Sequence, residues 1–144
     1  RGSSDGILPV GAYSQTLGAQ AGIPKGTEFT PGNAADGTWV SLGTTRWPLW
    51  WWQLGYGIYN TVTTAEYTFI ELGTGDGTLA NTVPFFFQMH GATTSEVMNF
   101  YDSTHLLWNA AYFPVAAGQT IYVRGRCNNA PDTNYNAVAI GVGG

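Results

Sequence analysis

WPLWWWQLGYGIY, residues 47–59, places four tryptophans within six positions. Neighbouring side chains in a β-strand point to opposite faces of the sheet. A strand over 49–60 would therefore present one continuously large apolar face, and we predict that this face lies in a sandwich core. Its members are Trp50, Trp52, Leu54, Tyr56 and Ile58. Trp51 lies on the other face with Trp47 and Tyr59, where the chain itself or a partner must cover it.

Further strand-like runs, separated by Gly, Pro, Asn, Asp and Thr, surround this segment. The predicted strands cover 38–42, 49–60, 65–73, 83–91, 95–101, 110–116, 119–128 and 135–143. The sequence TGDG, residues 74–77, predicts a turn. No window favours a sustained amphipathic helix, and the nearest candidate, 102–111, is brief. The pattern predicts an all-β chain, a single jelly-roll-like β-sandwich of about eight strands, whose strand order the sequence leaves open.

A chain of 144 residues is expected to form one domain. Residues 1–36 contain three prolines and several glycines without a sustained period, and they predict an extended N-terminal arm preceding a sandwich over 37–144. The apolar residues of this arm favour a segment that lies along a surface, either that of a neighbour or that of its own domain. We expect deletion of residues 1–20 to abolish attachment to a partner and to leave the sandwich folded.

The charge content excludes several classes of partner. Charged residues make up 10% of the chain, against about 25% in ordinary soluble domains. The net charge is −4, and Arg124 and Arg126 are predicted to share the polar outer face of a strand, so we expect no nucleic-acid partner. No apolar run approaches the roughly 20 residues of a membrane helix, and we expect no membrane partner. A surface poor in charge suits an extracellular protein or a subunit packed in an assembly.

The residues that could carry catalysis are few. His90 is predicted to be a core or edge histidine, and His105 lies beside Asp102 and Ser103, but adjacent residues do not form a triad. Cys127 is the single cysteine and is predicted to be a small buried hydrophobic residue. We therefore predict that the chain is not an enzyme and has no metal or cofactor.

Three runs in the C-terminal part, EYTFIELGTGDG, SEVMNFYD and FPVAAGQTIYVRGRCNNAPDTNYNAVAIGVGG, carry a resemblance over roughly residues 65–144. Together they resemble a pattern of β-sandwich virion proteins of tailed bacteriophages, in which a Gly-rich turn is followed by a Pro-x-x-Ala-Gly-x-x-Ile-x-x-Arg strand. Pro114, Ala117, Gly118, Ile121 and Arg124 fit that frame. The resemblance implies an inward Ile121, an outward Arg124, and a structural role as a head decoration (cement) protein or a tail or fibre module.

These observations predict a phage virion structural protein, most specifically a decoration protein on the capsid exterior, made in the host cytoplasm. Its partners would be the major capsid protein and neighbouring copies of itself, and a homo-oligomer is possible on this hypothesis. The predicted contact residues are Ile7, Leu8, Val10, Tyr13, Leu17, Trp47 and Trp51. The alternative is a carbohydrate-binding β-sandwich, either a lectin or a receptor-binding tail module, since exposed Trp and Tyr suit sugar rings.

Overall fold

The computed structural model describes residues 13–20, 26–58, 66–92, 111–128 and 135–143. All the elements in these ranges are strands. They are β1 (Tyr13–Leu17), β2 (Thr27–Phe29), β3 (Gly32–Asn33), β4 (Val40–Thr44), β5 (Leu49–Ile58), β6 (Glu66–Gly75), β7 (Thr82–Ala92), β8 (Ala111–Val115), β9 (Thr120–Cys127) and β10 (Tyr135–Gly143). The strands form two sheets that enclose one core, which confirms the prediction of an all-β sandwich.

The two sheets have matching layouts. In sheet A, β10 and β5 are central, β8 is the outermost described strand on one side, and β1 and β2 pair one after the other along the other side of β10. In sheet B, β9 and β6 are central, β7 is the outermost described strand on one side, and β3 and β4 pair one after the other along β9. Only the short β3–β9 contact is parallel among the described pairs. The chain passes repeatedly between the sheets, and the jelly-roll description of this order stays a prediction.

The tryptophan segment forms β5, with one correction to its predicted inner face. Trp52, Leu54 and Tyr56 are buried in the core as expected. Trp50 is only half-buried, and Leu49 takes its place in the core with no exposed surface. The reason is a β-bulge: the pairing of β5 shifts between Leu49 and Trp51 against both neighbouring strands. One extra residue reverses the alternation beyond it.

Two turns position the strands of sheet B. Residues 76–81 join β6 to β7, so the turn predicted over 74–77 is present but begins two residues later, because Thr74 and Gly75 still pair with β7. The Asp76 carboxylate accepts hydrogen bonds from Thr78 N (2.8 Å), Thr78 Oγ1 (2.6 Å) and Asn81 Nδ2 (2.9 Å). The β8–β9 turn is fixed by the buried Thr45, whose hydroxyl donates to the carbonyl of Ala116 at 2.8 Å. Thr45 N also donates to the carbonyl of Gln119 at 2.9 Å. Both turns therefore depend on short polar side chains.

The described part of 1–36 belongs to the sandwich. Strands β1 and β2 pair with β10, and β3 pairs with β9. Leu17 is 5% exposed and packs in the core. Deletion of residues 1–20 would therefore remove an edge strand, so a truncation that tests the predicted arm has to end at residue 12. The arm residues 1–12 and 21–25 lie outside the described residues.

Most of the predicted strands are present. Those over 38–42, 49–60, 65–73, 83–91, 110–116, 119–128 and 135–143 correspond to β4 through β10. The predicted strand over 95–101 lies outside the described residues. Ile121 points into the core with no exposed surface, as the resemblance implied. Arg124 lies on the outer face, but it is only 7% exposed because Trp39 and two carboxylates cover it.

Candidate functional site

A pair of exposed aromatic side chains marks the outer face of sheet A. Trp51 on β5 stands directly opposite Tyr112 on β8 in the strand register. Their rings are 5.5 Å apart between centroids and meet edge to face at 69°. Trp51 is 49% exposed and Tyr112 is 63% exposed. The expectation that Trp51 points away from the core agrees with this position, and β8 gives it only partial cover.

Apolar neighbours extend this pair into a larger surface. On the other side of β5, Val142 of β10 lies opposite Trp51 and Ile140 lies opposite Gln53. Trp51, Gln53, Ile140 and Val142 line a shallow depression of about 280 Å³. We call Trp51, Gln53, Tyr112, Ile140 and Val142 the sheet A patch. It contains no charged residue, and its one amide side chain is half-buried.

Two more of the predicted contact residues, Tyr13 and Trp47, lie at the end of sheet A where the sheet A patch is found. Tyr13 begins β1 opposite Gly143 and is 54% exposed. Its ring lies 5.3 Å from that of Trp47, which is half-buried and packs against the core. Leu17, in contrast, is used within the core. Ile7, Leu8 and Val10 lie outside the described residues.

The outer face of sheet B carries a second cluster of different chemistry. Phe69 on β6 and Phe87 on β7 have ring centroids 6.3 Å apart and are 42% and 66% exposed. Cross-strand pairing places Arg126 of β9 beside Phe69, and Glu71 beside Phe87. Together with Asp36, these four side chains line a groove of about 380 Å³, which we call the sheet B groove.

A buried guanidinium supports one wall of this groove. Arg124 Nε donates to Glu71 Oε2 at 2.7 Å, and Arg124 Nη2 lies 3.4 Å from Asp36 Oδ2. Its Cζ atom lies 4.2 Å from the centroid of the Trp39 ring. The Trp39 ring in turn lies on Gly73, where an added Cβ would be 2.7 Å from Trp39 Cη2. Arg124 therefore holds both carboxylates at fixed positions.

Sequence reasoning missed the sheet B groove and the contribution of Tyr112. In β6, Tyr67, Phe69 and Glu71 alternate with Thr68, Ile70 and Leu72. The charge of Glu71 is a sequence signal that the first of these faces is the outer one. Nothing in the local sequence connects Asp36 with β6, β7 and β9. That connection depends on β9 lying beside both β3 and β6.

The residues that were weighed for catalysis are distributed as follows. Cys127 is buried at 1% exposure, with its sulfur 3.4 Å from the Gly32 carbonyl oxygen, and it fits the predicted role of a small buried residue. The side chain of His90, and the residues around His105, lie outside what the structure describes. Among the described residues, no group of three or more His, Cys, Asp or Glu side chains is placed to hold a metal ion.

No helix that could cross a membrane occurs in the part of the chain that the structure describes. Comparison of the chain with protein-family models, with curated protein sequences and with solved structures found no match in any of the three.

Proposed function

We propose that this chain is a structural subunit of a bacteriophage virion, a decoration protein that binds the outside of the capsid through the sheet A patch. One observation carries the proposal: Trp51 and Tyr112 form an edge-to-face pair, are 49% and 63% exposed, and belong to a patch without a charged residue. Large aromatic side chains are enriched in the centres of protein interfaces, and charged residues are depleted there.

The energetic argument concerns the apolar area that remains available. Tryptophan and tyrosine side chains bury about 150–250 Å² each when fully covered. Covering the exposed half of Trp51 would contribute about 2–3 kcal/mol at roughly 25 cal/mol per Å², before ordering costs. One such contact is weak, but many copies on a repeating lattice strengthen each other when they touch their neighbours. The mechanism suits stabilisation of a shell by a small subunit.

Composition supports the same function. Only 10% of the residues are charged, so an isolated molecule depends on neutral polar groups for its solubility. A subunit that stays bound to a shell and to copies of itself exposes less surface to solvent and therefore needs less surface charge. The resemblance of residues 65–144 to virion β-sandwich proteins adds the phage context.

The proposal is tested with capsids of the encoding phage that have been prepared without this chain. The purified chain is added to them and its binding is measured. We expect co-sedimentation that saturates at a fixed copy number per capsid and that is weakened by Trp51→Ala and by Tyr112→Ala. Leu79→Ala is the control, because Leu79 is 76% exposed in the β6–β7 turn of the other sheet. Equal binding by all four proteins would contradict the assigned surface.

The arm is tested separately. A chain that lacks residues 1–12 retains β1 and its five register pairs with β10. If Ile7, Leu8 and Val10 contact the capsid, this truncation weakens binding and leaves the unfolding temperature close to that of the full chain. Unchanged binding would remove the arm from the contact.

A second candidate function, carbohydrate binding, is favoured by the same aromatic pair. An exposed Trp51 beside Tyr112, with the Gln53 amide nearby, offers a stacking surface and a hydrogen-bonding group. A glycan array that shows specific binding lost in Trp51→Ala, together with no binding to capsids, would favour this function over the first.

A further inference from the structure

We propose that the sheet B groove is a binding site for a neutral saccharide. The groove lies on the opposite sheet from the patch assigned to the capsid, so the inference does not rest on the proposed function. Its volume of about 380 Å³ falls within the usual range for small-molecule sites, about 300–1,000 Å³. Aromatic and charged side chains are both present, and their arrangement indicates the class of ligand.

The apolar part of the groove is a pair of tilted rings. Phe69 and Phe87 lie on adjacent strands, with interplanar angle 45° and exposed fractions of 42% and 66%. The face of an aromatic ring carries partial negative charge, which attracts the weakly positive C–H groups of an apolar surface. A sugar ring presents such C–H groups on its faces and hydroxyl groups around its perimeter.

The polar part of the groove supplies both acceptors and donors. The carboxylates of Asp36 and Glu71 accept hydrogen bonds only, and the guanidinium of Arg126 donates only. Hydroxyl groups both donate and accept, so a polyhydroxylated ligand can satisfy both kinds of group at once. The side chains of Asp36 and Glu71 are 38% and 27% exposed, which leaves them accessible from the groove.

The charges around the groove cancel. Two carboxylates, Asp36 and Glu71, contribute −2, and two guanidinium groups, Arg124 and Arg126, contribute +2, which gives a net charge of zero. The carboxylates would repel an anionic ligand, and Arg126 would repel a cationic ligand. A neutral ligand is repelled by neither.

The carboxylates are held in place before any ligand arrives. Arg124 contacts Oε2 of Glu71 and Oδ2 of Asp36, and its own side chain is only 8% exposed beneath Trp39. An ionised carboxylate has about four acceptor sites, so one contact from Arg124 to each leaves further sites for a ligand. Acceptors fixed in advance reduce the entropy lost on binding. Arg124 is therefore a positioning residue for the site.

The test begins with a glycan array that carries neutral, sialylated and sulfated saccharides, probed with the full chain. Each neutral saccharide that binds is then titrated by NMR against the wild type and four variants. Phe87→Ala removes one ring, Glu71→Gln removes one charge while keeping the shape, and Arg124→Lys keeps a charge but not the planar fork that spans both carboxylates. Val83→Ala, an exposed position of β7 outside the groove lining, is the control.

We expect Glu71→Gln to weaken binding about tenfold or more, since hydrogen bonds to charged groups contribute strongly. Phe87→Ala should weaken binding to a similar extent, because it removes one of the two rings that face the sugar. Arg124→Lys should also weaken saccharide binding, although Arg124 does not touch the ligand. Adding Glu71→Gln to Arg124→Lys should reduce the affinity little further, because both changes act through the same carboxylate. A general loss of stability would not produce this non-additivity. Val83→Ala should bind as the wild type does.

Several outcomes would overturn the proposal. These are no binding of any neutral saccharide, binding restricted to sialylated or sulfated saccharides, or binding lost in Trp51→Ala and retained in Phe87→Ala. Loss of capsid binding in Phe87→Ala, without any saccharide binding, would make the groove a protein contact. Failure of the capsid proposal has a different signature, which is capsid binding that does not respond to Trp51→Ala.

Discussion

The phenol hydroxyl of Tyr135 donates a hydrogen bond of 3.0 Å to the hydroxyl of Thr68 between the two sheets of the sandwich. Tyr135 lies on β10 of sheet A and Thr68 lies on β6 of sheet B, so the bond joins the two layers. Both residues have no exposed surface. A buried polar group that loses its partner costs more than the bond itself contributes.

Tyr135→Phe should therefore lower the free energy of unfolding by about 1–3 kcal/mol, because it leaves the buried Thr68 hydroxyl without this donor. Urea unfolding measures the change. The matched control is Tyr135→Phe combined with Thr68→Val, which removes both polar groups and should recover part of the loss. A double variant whose loss is the sum of the two single losses would show that the bond does not couple the sheets.

Two adjacent tryptophans in β5 should contribute very differently to the stability of the fold. Trp52 has no exposed surface and donates from Nε1 to the Phe113 carbonyl at 2.9 Å, whereas Trp51 is 49% exposed. Trp52→Ala should reduce stability by about 3–5 kcal/mol through the cavity it leaves. Trp51→Ala should cost less, about 2–3 kcal/mol, because only the covered half of the side chain is lost and the site stays open to solvent. Thermal and urea unfolding of the two variants give the comparison.

Similar losses in the two variants would contradict the assignment of one tryptophan to the core and one to the surface. Quenching of fluorescence by a soluble quencher gives an independent check. Trp51→Ala should remove a quenchable part of the emission, since the side chain that it replaces is accessible to solvent.

The hydrogen bonds that Asp76 accepts from the side chains of Thr78 and Asn81 lower the pKa of its carboxyl group below the ordinary value. A group with a lowered folded-state pKa stabilises the fold fully above its unfolded-state pKa, and the contribution is lost as the pH falls through the folded-state pKa. Asp76→Asn should therefore lower the unfolding temperature at neutral pH, and the difference from wild type should shrink as the pH falls below the ordinary Asp pKa of about 3.9.

The pKa itself can be followed by NMR titration of the Asp76 carboxyl. Asn81→Ala removes one of the two side-chain donors and should raise that pKa toward its ordinary value. An unfolding-temperature difference for Asp76→Asn that stays constant with pH would argue against ionisation as the source of the effect.

The strands from β4 to β10 were predictable because each is long enough to show the alternation of inward and outward side chains that is typical of a strand. β2 has three residues and β3 has two, which is too few for any period, and β1 lies in a zone rich in Gly and Pro. These strands form because β10 and β9 present edges that pair with them. Trp50 was assigned to the core wrongly because a bulge next to it shifts the alternation, and no local residue signals that bulge.

The candidate surfaces were predictable to different degrees. Trp51 follows from alternation alone, since Trp52 must face the core. Tyr112 requires knowledge that β8 pairs with β5, and strand order is not encoded in local pattern. The sheet B groove requires Asp36, which precedes β4, to meet residues of β6, β7 and β9. Sites assembled from distant strands become visible only when the sheet is in place.

The most direct test of the virion proposal is the number of copies of this chain in purified virions of the encoding phage, measured by quantitative mass spectrometry against the major capsid protein. A decoration protein should be present in a fixed ratio to the major capsid protein, because each copy occupies a repeated position on the shell. Absence from the virion would contradict the proposal. A handful of copies per particle would also contradict a decoration role, and it would move the chain to a tail or fibre.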